Sequence, residues 1–293
     1  MSNAQRAGRI NPDDLVAIDM HVHAMTFDQQ DSTFGQSASK YFGADVTGKG
    51  SDVLGPYYRQ RKMAAVIFSV DEPLSGAPFL GNDRVVAIAA QHPDVLIPFA
   101  SIDPHRGAAG VEEARRLIAE GSIRGFKFHP PLQQFFANDP LAYPLYEAIA
   151  EARLPALFHT GHSGIGTRVR GGGGVRQKYG NPIYIDDVAV DFPDMPIIMA
   201  HPSFPWQDEA ISVCLHKPQV YIDLSGWSPK YFSPTLVQYA NTLLKDKVLF
   251  GSDFPVITPD RWLKDFESIG IKEEVRPLIL KENAKRVLRL GVA

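Results

Sequence analysis

The amino-acid sequence predicts an α/β chain folded as a single (β/α)8 barrel, a TIM barrel, with an extra helix at its C-terminus. Three observations lead there. Eight short, apolar, β-rich runs recur along the 293 residues; helical patterns fill gaps between them; no linker or charge block divides the chain. Several runs are continuous rather than alternating, as expected of parallel strands covered on both faces.

In order, the runs are LVAIDMHVH (15–23), MAAVIFSV (63–70), VLIPFAS (95–101), IRGFKFH (123–129), LPALFHT (154–160), MPIIMAH (195–201), VYIDLSG (220–226) and KVLFGSD (247–253). Their spacing leaves room for a helix and two loops each time. The helical patterns are AAGVEEARRLIAEG, DPLAYPLYEAIAEAR, YIDDVAVDF, WQDEAISVCLHK and SPTLVQYANTLLK. Asp139 before Pro140 suits an N-cap and first turn, and Gly121 follows RRLIAE as a stop. KEEVRPLILKENAKRVLRL adds helix beyond the eighth strand. The tract Gly171 to Gly174 is too short for a linker and falls inside a βα loop. The expected organisation is an N-terminal extension, 1–14, followed by one barrel, 15–293.

A hydrophobic content of 44% supports a large core, and a net charge of −3 offers no electrostatic case for nucleic acid or an anionic membrane. No stretch approaches the roughly 18 apolar residues of a membrane span, and MSNAQRAGRINPDD lacks a signal peptide's apolar region. The lone cysteine, Cys214, excludes an internal disulfide and suits a reducing compartment, so a cytoplasmic location is expected. Its place in EAISVCLHK reads as buried packing rather than a nucleophile.

In barrels of this kind the active site lies at the C-terminal ends of the strands. His21 and His23 end the first strand, His129 the fourth, His159 the fifth, His201 the sixth and Asp253 the eighth. Residues two apart on a strand share a face, so His21 and His23 can converge on one ion. His92 and His216 instead fall at predicted helix C-termini, where a cation is favourable. Three histidines and a carboxylate form a primary shell for Zn²⁺, Mn²⁺ or Fe²⁺, completed by water.

DMHVH, LFHTG, IIMAHPS and LFGSDFP, in this order, resemble the amidohydrolase superfamily. More narrowly they resemble its amidohydrolase-related branch, which includes aminocarboxymuconate-semialdehyde decarboxylase, aromatic-acid decarboxylases and various hydrolases. The resemblance spans about residues 15 to 290. It implies that His21, His23, His159 and Asp253 bind one divalent metal, zinc first, with manganese, iron and magnesium as alternatives. It also implies that His201 exchanges protons with substrate or water. Other branches bridge two metals with a carboxylated lysine on strand four, and Lys127 in GFKFHP stands there. One ion is the expectation. Relatives commonly form dimers, which makes a homodimer compatible with the resemblance.

Further residues are candidates for touching substrate. His129 faces the barrel mouth beside Lys127, and His105 with Asp103 closes strand three, where loop structure is the simpler reading. The loop GHSGIGTRVRGGGGVRQKYGNP carries His162, Arg168, Arg170 and Arg176, and arginine can clamp a carboxylate bidentately. Its glycines permit hinge motion. Trp206, Trp227 and Phe254 each follow a site strand and could wall an aromatic or acyl substrate.

The expected function is a metal-dependent hydrolase that attacks a small carboxylated or carbonyl-bearing substrate through a metal-activated water. Asp253 takes the proton of that water and His201 assists at the reacting group. The alternative is non-oxidative decarboxylation of an aromatic or unsaturated acid, since the same ligand set serves both. A barrel that binds without catalysis would lack some of the ligands, and all of them are present.

Overall fold

The computed structural model describes residues 10–24, 53–74 and 79–291. The first nine residues of the expected extension and the last two of the chain lie outside these. The strands are β1 Ala17–His23, β2 Met63–Phe68, β3 Leu96–Pro98, β4 Ala100–Ser101, β5 Phe126–Phe128, β6 Ala156–His159, β7 Ile197–Ala200, β8 Val220–Asp223 and β9 Val248–Leu249. All paired neighbours run parallel, in the orders β1-β2-β3 and β4 through β9.

β3 and β4 are two pieces of the third barrel strand. Between them Phe99 still donates its N–H to Ile67 O at 2.9 Å. The last strand reaches the first through Met20 N–H to Phe250 O (3.0 Å), Asp253 N–H to His21 O (2.9 Å) and His23 N–H to Phe254 O (2.8 Å). The eight sequence runs thus join as one ring.

Side-chain alternation divides the apolar residues into two cores. Ile18, Met20, Ala64, Val66, Phe68, Ile97, Phe99, Leu157, Ile198 and Leu249 pack inside the barrel. Their neighbours in sequence, such as Val22, Ala65, Ile67, Phe158 and Met199, belong to the shell between strands and helices. Each fully buried residue of this size is worth about 1.5–3 kcal/mol, so the two layers together fix the ring. The barrel floor is closed by Ala284, Val287, Leu288 and Leu290 from the C-terminal segment. Asn283 pins that segment by donating its amide to Val248 O (2.7 Å) and Lys245 O (2.8 Å).

The helices follow the sequence reading, with local corrections. The pattern from Asp139 splits into a 3-10 turn, Pro140–Ala142, and a helix, Tyr143–Glu151; Asp139 Oδ1 accepts from Leu141 N–H at 3.1 Å. Gly121 ends Gly107–Glu120 at φ +63°, a left-handed conformation that favours glycine. The C-terminal helix begins as a π-type turn, Leu278–Glu282, before Asn283–Val287. Helices at Leu54–Gln60, ahead of β2, and Pro259–Phe266, after β9, are additional to the sequence reading. Among the described residues, no helix is long and apolar enough to cross a membrane.

Candidate metal centre

A β-bulge places the first two histidines. Pairing of β1 with β2 shifts register between Asp19 and Val22. Before the shift Ile18 and Met20 point into the barrel; after it Val22 points outward, so His21 and His23 turn inward. The shift is anchored by Asp19, whose carboxylate accepts from Tyr58 Oη (2.8 Å), Ser252 N–H (2.8 Å), Ser252 Oγ (2.5 Å) and His21 N–H (3.2 Å). Burial nevertheless pushes Asp19 up to about 6.

The inward turn brings the two imidazoles to Asp253 at the far end of the chain. Asp253 Oδ1 lies 3.0 Å from His23 Nε2 and 3.4 Å from His21 Nε2. Donor atoms of all three residues fall within 4.8 Å of one another. Asp253 adopts φ +67° and His201 φ +73°, conformations that L-residues with a Cβ rarely take. Both strained residues follow barrel strands, β7 and β9, and line the same cavity.

His21 is held from behind. Its Nδ1 is 2.9 Å from Asp223 Oδ2 and 3.0 Å from Ser225 Oγ. Burial raises Asp223 to about 7 and lowers His21 well below the usual histidine range. With its proton on Nδ1, facing Asp223, His21 would offer the lone pair of Nε2 to a cation.

His159 stands outside the three-residue group but is connected to it. Its Nδ1 is 3.0 Å from His201 Nε2, and His201 Nδ1 is 3.0 Å from the backbone oxygen of Ser225. A carbonyl oxygen only accepts, so His201 carries its proton on Nδ1. Burial pushes His201 down to about 4, which leaves the ring neutral and its Nε2 an acceptor. His159 must then donate from Nδ1, and its Nε2 bears a lone pair. That atom is buried and, among the described residues, has no hydrogen-bond partner. An unsatisfied buried nitrogen costs about 1–3 kcal/mol. A cation would satisfy it. Imidazole nitrogens with one carboxylate oxygen are also the donor set that zinc, manganese and iron accept. The residues present therefore fit a divalent ion, with His21, His23 and Asp253 as its core and His159 alongside.

Lys127 is fully buried, with Nζ 3.2 Å from His21 Nε2 and 5.0 Å from the centre of the Phe68 ring. Burial lowers its ammonium to about 8. His129 stacks on His159 with ring centroids 4.0 Å apart, and its Nδ1 accepts from Leu132 N–H at 3.4 Å, capping a short helix.

A cavity of 380 Å³ opens in front of these residues, with His159, His201 and Asp253 on one wall. His162, Trp227, Ser228, Tyr231, Ile257 and Arg261 also line it. Of the candidates for touching substrate, His162 and Trp227 thus line the cavity. Lys127, His129, Arg168, Arg170, Arg176, Trp206 and Phe254 are not on its wall. Phe254 is 1% exposed and packs against Tyr57 and Tyr58; Trp206 precedes the helix Gln207–His216. Arg176 donates to Gln134 Oε1 at 3.1 Å. His105 Nδ1 bonds Asp103 Oδ1 at 2.8 Å, as loop structure.

Four residues that line the cavity or contact its histidines escaped sequence reasoning: Asp223, Ser225, Gly226 and Arg261. A Cβ on Gly226 would sit 2.6 Å from His201 Nδ1 and 3.2 Å from Asp253 Oδ2, so this glycine lets the loop after β8 approach both. A signal for Asp223 was available, since it ends a barrel strand with its side chain inward.

The model of the family described as Amidohydrolase matches residues 18–290. The chain belongs to the amidohydrolase family. Its fold is similar to that of an uncharacterized TIM-barrel protein from Bordetella bronchiseptica, with TM-score 0.75 and 24% identity over 94% of this chain and 98% of the other. It is also similar to 2,6-dihydroxybenzoate decarboxylase complexed with 2,6-dihydroxybenzoate (TM-score 0.69, 16% identity, 94% and 100% covered). A third likeness is to dihydroxybenzoic acid decarboxylase from Polaromonas sp. JS666 with bound manganese and 2-nitroresorcinol (TM-score 0.61, 15% identity, 95% and 98% covered). No curated protein matches this amidohydrolase.

Proposed function

We propose that this amidohydrolase is a metal-dependent hydrolase of a small substrate bearing a carbonyl or carboxylate group. The observation that supports it is the double position of Asp253: it joins the His21–His23 group at 3.0 and 3.4 Å and also forms part of the cavity wall. A divalent ion held by His21, His23, Asp253 and His159 would supply Lewis acidity and an acidified water. Asp253 Oδ2 accepts the proton of an attacking water. His201, anchored by Ser225 O, orients His159 and presents a neutral ring edge to the cavity. The cavity lies at the small end of the roughly 300–1,000 Å³ typical of ligand sites, which suits a compact substrate.

Non-oxidative decarboxylation of an aromatic acid is the second reading, favoured by the likeness to the dihydroxybenzoate decarboxylases. The same residues would serve it: the carboxylate would lie against the cavity wall, a bound ion would supply Lewis acidity, and as the C–C bond breaks and CO₂ leaves, a proton would be delivered to the ring carbon. Incubating the zinc- or manganese-loaded enzyme with lactones, thioesters, β-keto acids and dihydroxybenzoates separates the two. Acid release without CO₂ supports hydrolysis; CO₂ release from an aromatic acid supports decarboxylation and overturns the first reading.

A further inference from the structure

We propose that Arg261 is the residue that selects the substrate, by holding a carboxylate within the cavity that His159, His201 and Asp253 also line; this rests on the enzymatic reading above. The arginines expected to do so, Arg168, Arg170 and Arg176, are not on the cavity wall. Arg261 is the one arginine or lysine among the described residues lining that cavity.

Among the described residues, Arg261 has one ionic contact and no side-chain hydrogen bond. The side chain is 51% exposed, and its contact with Asp265 is an ion pair at 4.0 Å, too long for a hydrogen bond. Asp265 Oδ2 is already committed, accepting from Ser228 Oγ at 2.6 Å. The backbone around Arg261 is rigid: Thr258 Oγ1 accepts from Arg261 N–H at 3.3 Å, and the next residue, Trp262, is fully buried and donates Nε1–H to Leu224 O at 3.1 Å. A fixed helix thus carries a guanidinium with its fork of donors available to a planar anion, the geometry that carboxylates fit bidentately.

The position in the barrel agrees with this. Trp227, Ser228 and Tyr231 come from the loop after β8, and Arg261 from the segment after β9. In βα-barrels these last two loops are frequent binding places for anionic groups. Trp227 and Tyr231 add aromatic surface to the lining that Arg261 shares with His159 and Asp253. The substrate class that satisfies Arg261 and the reacting residues together is a small ring or unsaturated chain with a carboxylate distinct from the group that reacts.

The test is calorimetric binding of isophthalate, with two carboxylates, against benzoate, with one. Wild type, Arg261→Gln and Arg261→Lys are measured both manganese-loaded and stripped of metal. Wild type should bind isophthalate more tightly than benzoate by about 10–100-fold, as expected for a charge-assisted contact. Arg261→Gln should abolish that preference in the manganese-loaded protein and weaken both probes alike in the stripped protein, and Arg261→Lys should restore part of each. Equal affinity for the two probes in wild type, an undiminished preference in Arg261→Gln, or no binding of either probe would overturn the assignment. Failure of the hydrolase reading shows differently, as missing acid release with the binding preference intact.

Discussion

Asp223 Oδ2 stands 2.9 Å from His21 Nδ1, on the side of the imidazole away from Asp253. A carboxylate behind a ligating histidine fixes its tautomer and raises its basicity. Replacing Asp223→Asn should therefore weaken metal binding on the order of 10–100-fold while leaving the fold intact. Competition against a chromogenic chelator measures this; affinity equal to wild type would reduce Asp223 to a packing residue.

Gly226 should tolerate no side chain. At φ +74°, with His201 and Asp253 in the way of a Cβ, Gly226→Ala meets both backbone strain and a clash with the site. Left-handed backbone alone costs a non-glycine residue about 1–2 kcal/mol. The variant should lose that much stability or more in chemical denaturation and drop kcat at least about tenfold, because the clash displaces His201 and Asp253. Normal kcat would show that the loop yields without moving His201.

Cys214 tests the interior of the shell. Burial pushes its thiol up from 9.0 to about 12, and its Sγ–H donates to Val220 O at 3.2 Å. Because the folded pKa is raised, the folded chain keeps a proton that the unfolded chain releases. The resulting stability is complete below pH 9 and is lost as pH rises from about 9 to 12. Native protein at pH 8.5 should resist iodoacetamide, and denatured protein should react fully. Rapid native labelling would contradict a buried thiol.

Much of this was legible in the chain itself. The strand-end positions of His21, His23, His159, His201 and Asp253 follow from counting βα units, because a barrel gathers all C-terminal strand ends at one mouth. What strict strand periodicity hides is the bulge after Asp19. Without it Met20 and His21 would face opposite sides, and a slip of one residue would aim both histidines outward. Asp223 and Gly226 depend on contacts more than 200 residues from His21 or within a loop, where local patterns are silent. The arginine-bearing loop shows a related limit: composition names arginines near the mouth, but which side chain lines the cavity is set by packing, and Arg261, on a helix anchored by Trp262, is the arginine that lines it among the described residues.

The central claim is that one chain builds one divalent site from His21, His23 and Asp253, with His159 beside it and His201 behind. Metal content by elemental analysis, measured beside kcat in wild type, His21→Ala, Asp253→Ala and His201→Asn, tests it most directly. The account predicts about one ion per chain in wild type and loss of both ion and activity in the two ligand deletions. His201→Asn should retain the ion at saturating metal while kcat falls on the order of 10²–10⁴-fold. A wild-type protein that binds no divalent ion under any reconstitution, or ligand deletions that keep full metal content, would contradict it.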